Sequence, residues 1–256
     1  MRTRPTGLRR PAPDNHASIT SPRRFMASQF KPVESRRLYQ HIADQIRELI
    51  DRGGFEAGTR LPPERDLAQQ FKVSRPSLRE ALIALDVEGR VEVRSGSGVF
   101  VCAALPGPAP RRTVAMGESP SQLMEARSVI EGEVVVLACA RVTQELQARL
   151  RELLESMEAD IGRRHARLDL DRQFHLTLAD MAGNAVLSRL VAELFDERHS
   201  PISAKLSSRF ESTRTWRAAL KEHEAIVEAV EARDPIAAQA AMRAHLKASA
   251  LRWIGD

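Results

Sequence analysis

The sequence predicts a mainly α-helical fold of two modules, in which three helices and a β-hairpin are followed by an all-α helical bundle. Apolar residues recur at three- and four-residue steps along most of the chain, as they do on one face of a helix. Only residues 91–93 and 99–101 alternate in the way that strands do. Aromatic residues make up 4% of the composition, which suits packed Leu, Ala and Val helices better than a β-sandwich.

Residues 1–35 read as a disordered basic tail, because they combine Pro and Arg with no apolar periodicity. The formal net charge is +5, and the six arginines and one aspartate before Met26 account for all of it. Net charge therefore does not indicate a nucleic-acid partner for the rest of the chain. Two interpretations of residues 1–25 stay open: translation starts at Met26, or the segment is an arm that helps to hold DNA.

The composition favours a cytoplasmic protein without a membrane span. No run of about 20 apolar residues is present, and the N-terminal residues lack the apolar region of a secretory signal. Cys102 and Cys139 are the only cysteines, and two isolated cysteines fit a reducing compartment better than a disulfide framework.

The first module, residues 36–101, is predicted to hold three helices and a hairpin. The first helix, from about Arg36 to Arg52, has an apolar stripe from Leu38 to Leu49. A short second helix follows two prolines in "LPPERDLAQQF", and Ser74 can cap the third, which ends at Gly89. The glycine-rich "RSGSG" then joins the two strands.

This order of elements predicts a winged helix-turn-helix, whose third helix lies in the major groove of double-stranded DNA. Arg75 and Arg79 lie one turn apart near the start of that helix, and arginine suits bidentate contact with guanine. Arg65 can reach a phosphate or a base. The wing tip, Ser95 and Gly96, is small enough to enter a minor groove. Alternatively, each arginine is an ordinary solvated charge.

The segment "LPPERDLAQQFKVSRPSLREALIALDVEGRVEVRSGSGVFV" resembles the GntR-type DNA-binding domain. The resemblance implies a dimeric bacterial transcription factor that binds a short palindromic operator. Family members often have Thr where this chain has Ser74, and His at the wing tip where it has Ser95, so the operator sequence stays open. The DNA-contacting positions that the resemblance implies are Arg65, Ser74, Arg75, Ser77, Arg79 and Gly96.

Residues 102–117 are rich in Pro and Gly and read as a linker, whereas residues 118–254 read as helix throughout. Capping signals at Ser119, Thr143 and Asn184 start three of the helices. We expect six helices and no strand in this second module, which therefore forms an all-α bundle.

Four polar residues fall on stripes that should face the bundle interior. Asp171 and His175 are one helical turn apart, and His223 and His245 interrupt the apolar faces of the last two helices. Burying such groups without partners is unfavourable, and a divalent transition metal would offset it, with zinc as the first choice and nickel or manganese as alternatives. However, a single inward histidine is more often a hydrogen-bonded core residue, and spacing alone leaves both interpretations open.

The second module is similar to the FCD ligand-binding domain of the FadR subfamily of GntR regulators. The similarity rests on "RSVIE" at 127–131, "DRQFH" at 171–175, "AGN" at 182–184, "EHEAIVEAV" from Glu222 and "MRAHL" from Met242. It implies that Asp171, His175, His223 and His245 are metal ligands, because the metal-dependent members have one Asp and three His at these positions.

A small carboxylate or sugar acid is the expected effector, bound at open metal positions. Arg127 interrupts an inward stripe and could pair with its carboxylate, or could instead form a salt bridge to Glu131. Asn184 is a second candidate contact, although it also fits a helix cap.

These features together predict a homodimeric, metabolite-responsive transcriptional regulator, in particular a repressor. Two alternatives stay open. The four ligands could belong to a metal-dependent hydrolase or dioxygenase that carries a DNA-binding module, or the metal could be purely structural and DNA binding constitutive.

Overall fold

A computed structural model of the chain describes residues 37–94, 96–103 and 115–254, with the side chains of 164 and 165 left out. The predicted tail, most of the predicted linker, and Ser95 lie outside the described residues. The first module contains α1 (Leu38–Asp51), α2 (Glu64–Phe71), α3 (Arg75–Val87), β1 (Val91–Arg94) and β2 (Gly98–Val101). The second contains α4 (Pro120–Cys139), α5 (Gln144–Ala159), α6 (Arg164–Met181), α7 (Ala185–Asp196), α8 (Pro201–Phe210), α9 (Thr213–Glu231) and α10 (Pro235–Ile254), with a 3-10 turn (Glu197–His199) before α8.

The first module is a winged helix-turn-helix, as the sequence predicts. Ser74 caps α3 by accepting a hydrogen bond from the Ser77 backbone N–H, and α3 buries one continuous apolar face from Leu78 to Leu85. Gly89 follows the helix with a φ of 71°, a conformation that glycine adopts without strain. The antiparallel strands then pair Val91 with Val101 and Arg94 with Gly98.

The buried face of α1 differs from the predicted one. Leu38 and Leu49 are 53% and 44% exposed, whereas Tyr39 and Ala43 are buried beside Ile42. Tyr39 explains the rotation, because its hydroxyl reaches the Gly117 carbonyl and donates a hydrogen bond of 2.9 Å. A buried tyrosine usually needs such a partner.

The second module is the predicted all-α bundle, and three of its helices begin at the predicted capping residues, Ser119, Thr143 and Asn184. The side chains of Ser119, Thr143, Asn184 and Ser212 each accept a hydrogen bond from a backbone N–H of the following helix. The core lies mainly among α4, α5, α6, α9 and α10, and α10 packs against both α4 and α9. Leu137 of α4 is exposed, unlike its buried neighbour Ala138.

The prediction of six helices in this module is wrong, because the described residues form a seventh, α8. Pro201 occupies its first turn, and Ile202 and Leu206 are buried. Both side chains pack into the core of the winged helix rather than into the bundle. The sequence does not predict α8, because its only fully buried apolar residues are Ile202 and Leu206. The surface that they contact belongs to the first module, which is distant in sequence.

A buried carboxylate joins the two modules. Glu80 of α3 is 2% exposed and accepts hydrogen bonds from the Ser119 hydroxyl and the Ser121 backbone N–H, both at 2.8 Å. These donors lie at the start of α4, where unpaired N–H groups and the helix dipole favour a negative charge.

We expect Glu80→Ala to lower the free energy of unfolding by about 1–3 kcal/mol, because buried donors at the start of α4 would lose their acceptor. Urea denaturation followed by circular dichroism would measure the change. Glu155→Ala is the matched control, since Glu155 is an exposed helical glutamate on α5. Equal stability of the two variants would contradict this account of the contact between the modules.

Candidate metal centre and DNA interface

The four residues predicted as metal ligands meet inside the bundle. Asp171 and His175 lie one turn apart on α6, His223 comes from α9, and His245 comes from α10. All four are buried, and one ligand atom from each lies within 4.8 Å of the others. The apolar periodicity of α6, α9 and α10 in the sequence therefore predicted that these four side chains face the interior of the bundle, where the structure has them.

The distances among the ligand atoms suit a small cation at their centre. His223 Nε2 lies 3.2 Å from His245 Nε2 and 3.3 Å from Asp171 Oδ1. His175 Nε2 lies 3.8 Å from the same carboxylate oxygen. Ligand atoms about 2.0–2.1 Å from a tetrahedral zinc ion are separated from one another by about 3.3 Å.

Two outer carboxylates orient two of the imidazoles. His175 Nδ1–H donates to Glu131, and His245 Nδ1–H donates to Glu222 Oε2 at 2.9 Å. Because an ionised carboxylate only accepts hydrogen bonds, each Nδ1 carries the proton and each Nε2 presents a lone pair to the cluster. Histidines that bind metals commonly have such a partner on their second nitrogen.

The electrostatics keep the carboxylates charged and favour the neutral forms of His223 and His245. Burial alone would raise the pKa of Glu131, but Arg127 and His175 outweigh it and hold that pKa at about 2. Burial also opposes ionisation of Asp171, yet Arg198 and the imidazoles keep its pKa well below the usual range. Burial lowers the pKa of both His223 and His245. Deprotonated ligands are the form that binds a metal.

The second oxygen of Asp171 is held by a buried arginine. Arg198 Nη1 donates to Asp171 Oδ2 at 2.6 Å, and its Nη2 donates to Glu211 at 3.0 Å. The guanidinium also lies 4.7 Å from the centre of the Trp253 ring. Arg198 therefore fixes Asp171 with one carboxylate oxygen directed to the histidines.

The donor set fits a divalent transition metal. The buried His175 Nε2 has no hydrogen-bond partner among the described residues, although its ring is fixed by Glu131. An unsatisfied buried nitrogen is unfavourable in an apolar core, and a cation between this atom, the other two Nε2 atoms and Asp171 would satisfy it. Three imidazoles and a carboxylate are ligands of zinc, nickel and manganese alike.

A cleft opens beside the cluster. Asp171 and His245 line it together with Arg198, Arg252 and two tryptophans, Trp216 and Trp253. Arg252 makes a two-point ion pair with Glu222, at 2.6 and 2.8 Å. The cleft thus combines the metal-binding atoms with two guanidiniums, which are groups that recognise carboxylates.

The two residues predicted to bind an effector have other partners in the structure. Arg127 Nε donates to Glu131 at 2.6 Å, which was the alternative that the sequence left open. Its Nη2 is buried without a hydrogen-bond partner among the described residues, so one donor remains for a ligand. Asn184 caps α7, which was the alternative to effector contact for this residue. Effector contact by either residue stays a prediction.

On the first module, four of the residues predicted to contact DNA lie in α2 or in the first turn of α3 and its cap. Arg65 and Arg75 are exposed, and neither forms an ion pair with any other described residue. Ser74 and Ser77 are joined by their hydroxyls at 2.8 Å. Gly96 lies at the wing tip with a φ of 71°.

Arg79 differs from these residues, because its guanidinium is already engaged. It donates to Glu64 at 3.0–3.1 Å and to the carbonyl of Ile254 at the end of α10. No local sequence pattern indicates this contact, since 175 residues separate the partners.

Several functional candidates were missed by sequence reasoning. Glu222 directly precedes His223 in the sequence, and this proximity to a predicted ligand could have indicated its role. Arg198 offered no such signal, because no helix or strand was predicted around it. On the wing, Arg60 packs so closely on Gly98 that an added Cβ would lie 2.5 Å from its Nε. Lys72 is exposed in the turn between α2 and α3.

Comparison with known proteins agrees with both modules. Residues 38–101 match the family of bacterial regulatory proteins, gntR family, and residues 122–248 match the FCD domain. The Exu regulon transcriptional regulator of Escherichia coli K12 is 35% identical over 219 residues, with 84% of each chain covered. The Uxu operon transcriptional regulator of the same strain is 31% identical over 221 residues, covering 84% of this chain and 86% of the relative.

Two solved structures also align with most of the chain. Streptococcus agalactiae GntR shares 25% identity with a TM-score of 0.44 and covers 83% of this chain and 98% of its own. E. coli McbR/YncC shares 20% identity with a TM-score of 0.46 and covers 83% and 94%.

A winged helix joined to an FCD domain defines a DNA-binding transcriptional regulator. This chain belongs to the GntR family, with an FCD domain as its C-terminal module. Its relatives are regulators, so the enzyme alternative finds no support. Among the described residues, none of the helices has the length and apolar character needed to cross a membrane.

We expect Glu222→Gln to weaken zinc binding by about 10- to 100-fold, because His245 would lose the carboxylate that orients it. Competition with a chromogenic chelator would measure the dissociation constant. Glu224→Gln is the matched control, since Glu224 lies two residues away on the exposed side of α9. Identical zinc affinity in both variants would show that Glu222 has no part in the site.

Proposed function

We propose that this regulator is a homodimeric repressor that binds a divalent metal and senses a small carboxylate or sugar acid. The observation that carries the proposal is the position of Asp171, His175, His223 and His245, whose ligand atoms converge at the wall of a cleft that also contains Arg198 and Arg252. Metal and arginine together provide the positive charge that an anionic metabolite requires.

A bound divalent cation would supply Lewis acidity and coordination positions for the oxygen atoms of the effector. The residues of the chain have separate tasks. Glu131 and Glu222 orient the imidazoles, and Arg198 holds Asp171. Arg252, which is partly exposed in the cleft, can exchange its pairing with Glu222 for the carboxylate of an effector.

The DNA-binding half of the proposal assigns base contacts to Arg75 and Arg79, and phosphate or base contacts to Arg65. Ser74, Ser77 and the wing tip at Ser95 and Gly96 would contact the backbone and the minor groove. Two copies of the chain would present two α3 helices to the half-sites of a palindromic operator.

The sensing half predicts that effector binding requires the metal. Trp216 and Trp253 are the only tryptophans, and both line the cleft, so intrinsic fluorescence reports ligands directly. We expect one of L-lactate, D-gluconate or D-glucuronate to change the fluorescence of zinc-loaded protein, and the change to disappear with EDTA or in His223→Ala. A ligand response of equal size without metal would overturn the sensing role of the cluster.

For operator binding, we expect Arg75→Ala to lose about 1–3 kcal/mol of binding free energy and to relax base preference at one position of each half-site. The operator can be selected from a random-sequence duplex pool, and affinity measured by fluorescence anisotropy. Arg217→Ala is the control, because Arg217 is an exposed arginine of the bundle. Unchanged affinity and base preference in Arg75→Ala would remove α3 as the recognition helix.

A further inference from the structure

Arg79 of α3 is held by the C-terminal end of the bundle. Its Nε and Nη2 donate to Glu64 Oε2 at 3.1 and 3.0 Å, and its Nη1 donates to the carbonyl oxygen of Ile254. Arg75, one turn earlier on the same helix, is exposed and forms no ion pair among the described residues. The two arginines are therefore in different states, and only Arg75 is free to meet DNA in this conformation.

The acceptor on α10 suits a cation. The last carbonyl groups of a helix lack partners within the helix and carry the negative end of its dipole. Ile254 provides such a carbonyl at the end of α10, and Trp253 and Ile254 are both buried. The end of α10 is thus fixed in place rather than frayed, and the contact with Arg79 can persist.

The same helix end touches the candidate metal centre. Trp253 lines the cleft, and its ring lies 4.7 Å from the Arg198 guanidinium, which binds Asp171 at 2.6 Å. Trp253 and Ile254 are consecutive residues. An unbroken series of contacts therefore runs from Asp171 through Arg198, Trp253 and Ile254 to Arg79.

We propose that the contact between Arg79 and the Ile254 carbonyl is an autoinhibitory latch, which competes with operator DNA for this arginine. In the latched conformation one of the two base-reading arginines is withheld. The apparent operator affinity then equals the intrinsic affinity multiplied by the unlatched fraction of the protein. The proposal rests on the proposed role of Arg79 in DNA binding.

A double-mutant cycle on the full-length protein tests the latch. Ile254→Ala removes buried side-chain contacts that hold the helix end, and we expect it to raise operator affinity by about 3- to 10-fold, the range of the net contribution of one intramolecular hydrogen bond. The same change in an Arg79→Ala background is expected to leave affinity unaltered, because that variant has no latch to release. Leu251→Ala is the matched control, since Leu251 lies one turn earlier with an exposed side chain.

A second variant should have the opposite effect on operator affinity. Ending the chain at Ile254 converts its carbonyl into a carboxylate, and charge-assisted hydrogen bonds are about twice as strong as neutral ones. We expect this truncation to lower operator affinity by about 3- to 10-fold in the Arg79 protein, and to have no effect in Arg79→Ala. Thermal unfolding of each variant shows whether the bundle is intact, and the truncation tests the latch even if Ile254→Ala unfolds.

The outcomes separate the latch from the proposed function. If the wild-type protein selects no operator at all, the proposed DNA-binding residues and the latch both fail. If it binds an operator but the C-terminal changes have the same effect with and without Arg79, the latch is wrong and the proposed function stands. Opposite effects of the two C-terminal variants, both dependent on Arg79, would support the latch.

Discussion

The fold depends on ion pairs that stabilise charged side chains inside an apolar bundle. Asp171 and three histidines lie where Leu and Val would otherwise pack, and an ionised group buried without a partner is strongly destabilising. The structure offsets this with a second layer of ion pairs. Around the three imidazoles, the described residues place four carboxylates and three guanidiniums in direct contact with one another or with the histidines. These are Asp171, Glu131, Glu211 and Glu222, and Arg127, Arg198 and Arg252. With neutral imidazoles these groups carry four negative and three positive charges, so a divalent cation would change their net charge from −1 to +1.

The parts of this arrangement that depend on local spacing were predictable from the sequence. The four-residue separation of Asp171 and His175 predicts that they share one face of a helix. Ser119 and Asn184 predict helix starts, because a capping side chain bonds to backbone N–H groups within the first turn. The parts that depend on distant contacts were not predictable. Arg198 joins the candidate metal centre only because α6 passes beside it, and α8 is recognisable only once the winged helix is there to bury Ile202 and Leu206. The face of α1 was misjudged for the same reason, because the Gly117 carbonyl that receives the Tyr39 hydroxyl lies 78 residues away.

Helix α10 connects the chemistry of the bundle to the DNA-binding module. It contributes His245 to the cluster, Arg252 and Trp253 to the cleft, and the Ile254 carbonyl to Arg79. It also packs against α4, which carries Glu131. Protein interiors are packed densely enough that a helix moves as a unit rather than deforming at one residue. A ligand that shifts His245 or Trp253 would therefore also act on Ile254, at the C-terminal end of the same helix, and a coupling of about 1–3 kcal/mol is typical of allosteric proteins.

Helix α3 is oriented by the bundle and not only by the winged helix to which it belongs. On one side Glu80 is bonded to the start of α4, and farther along Asp86 forms an ion pair of 3.2 Å with Lys205 of α8. Arg79, one residue before Glu80, contacts the end of α10. Three helices of the second module thus fix the direction of α3, independently of residues 104–114, which connect the modules in sequence. In a homodimer, the separation of the two α3 helices then follows from the way the bundles pair. Half-sites one helical turn apart, about 34–36 Å, require that separation to be held within narrow limits, and small rearrangements of the bundle are sufficient to change it.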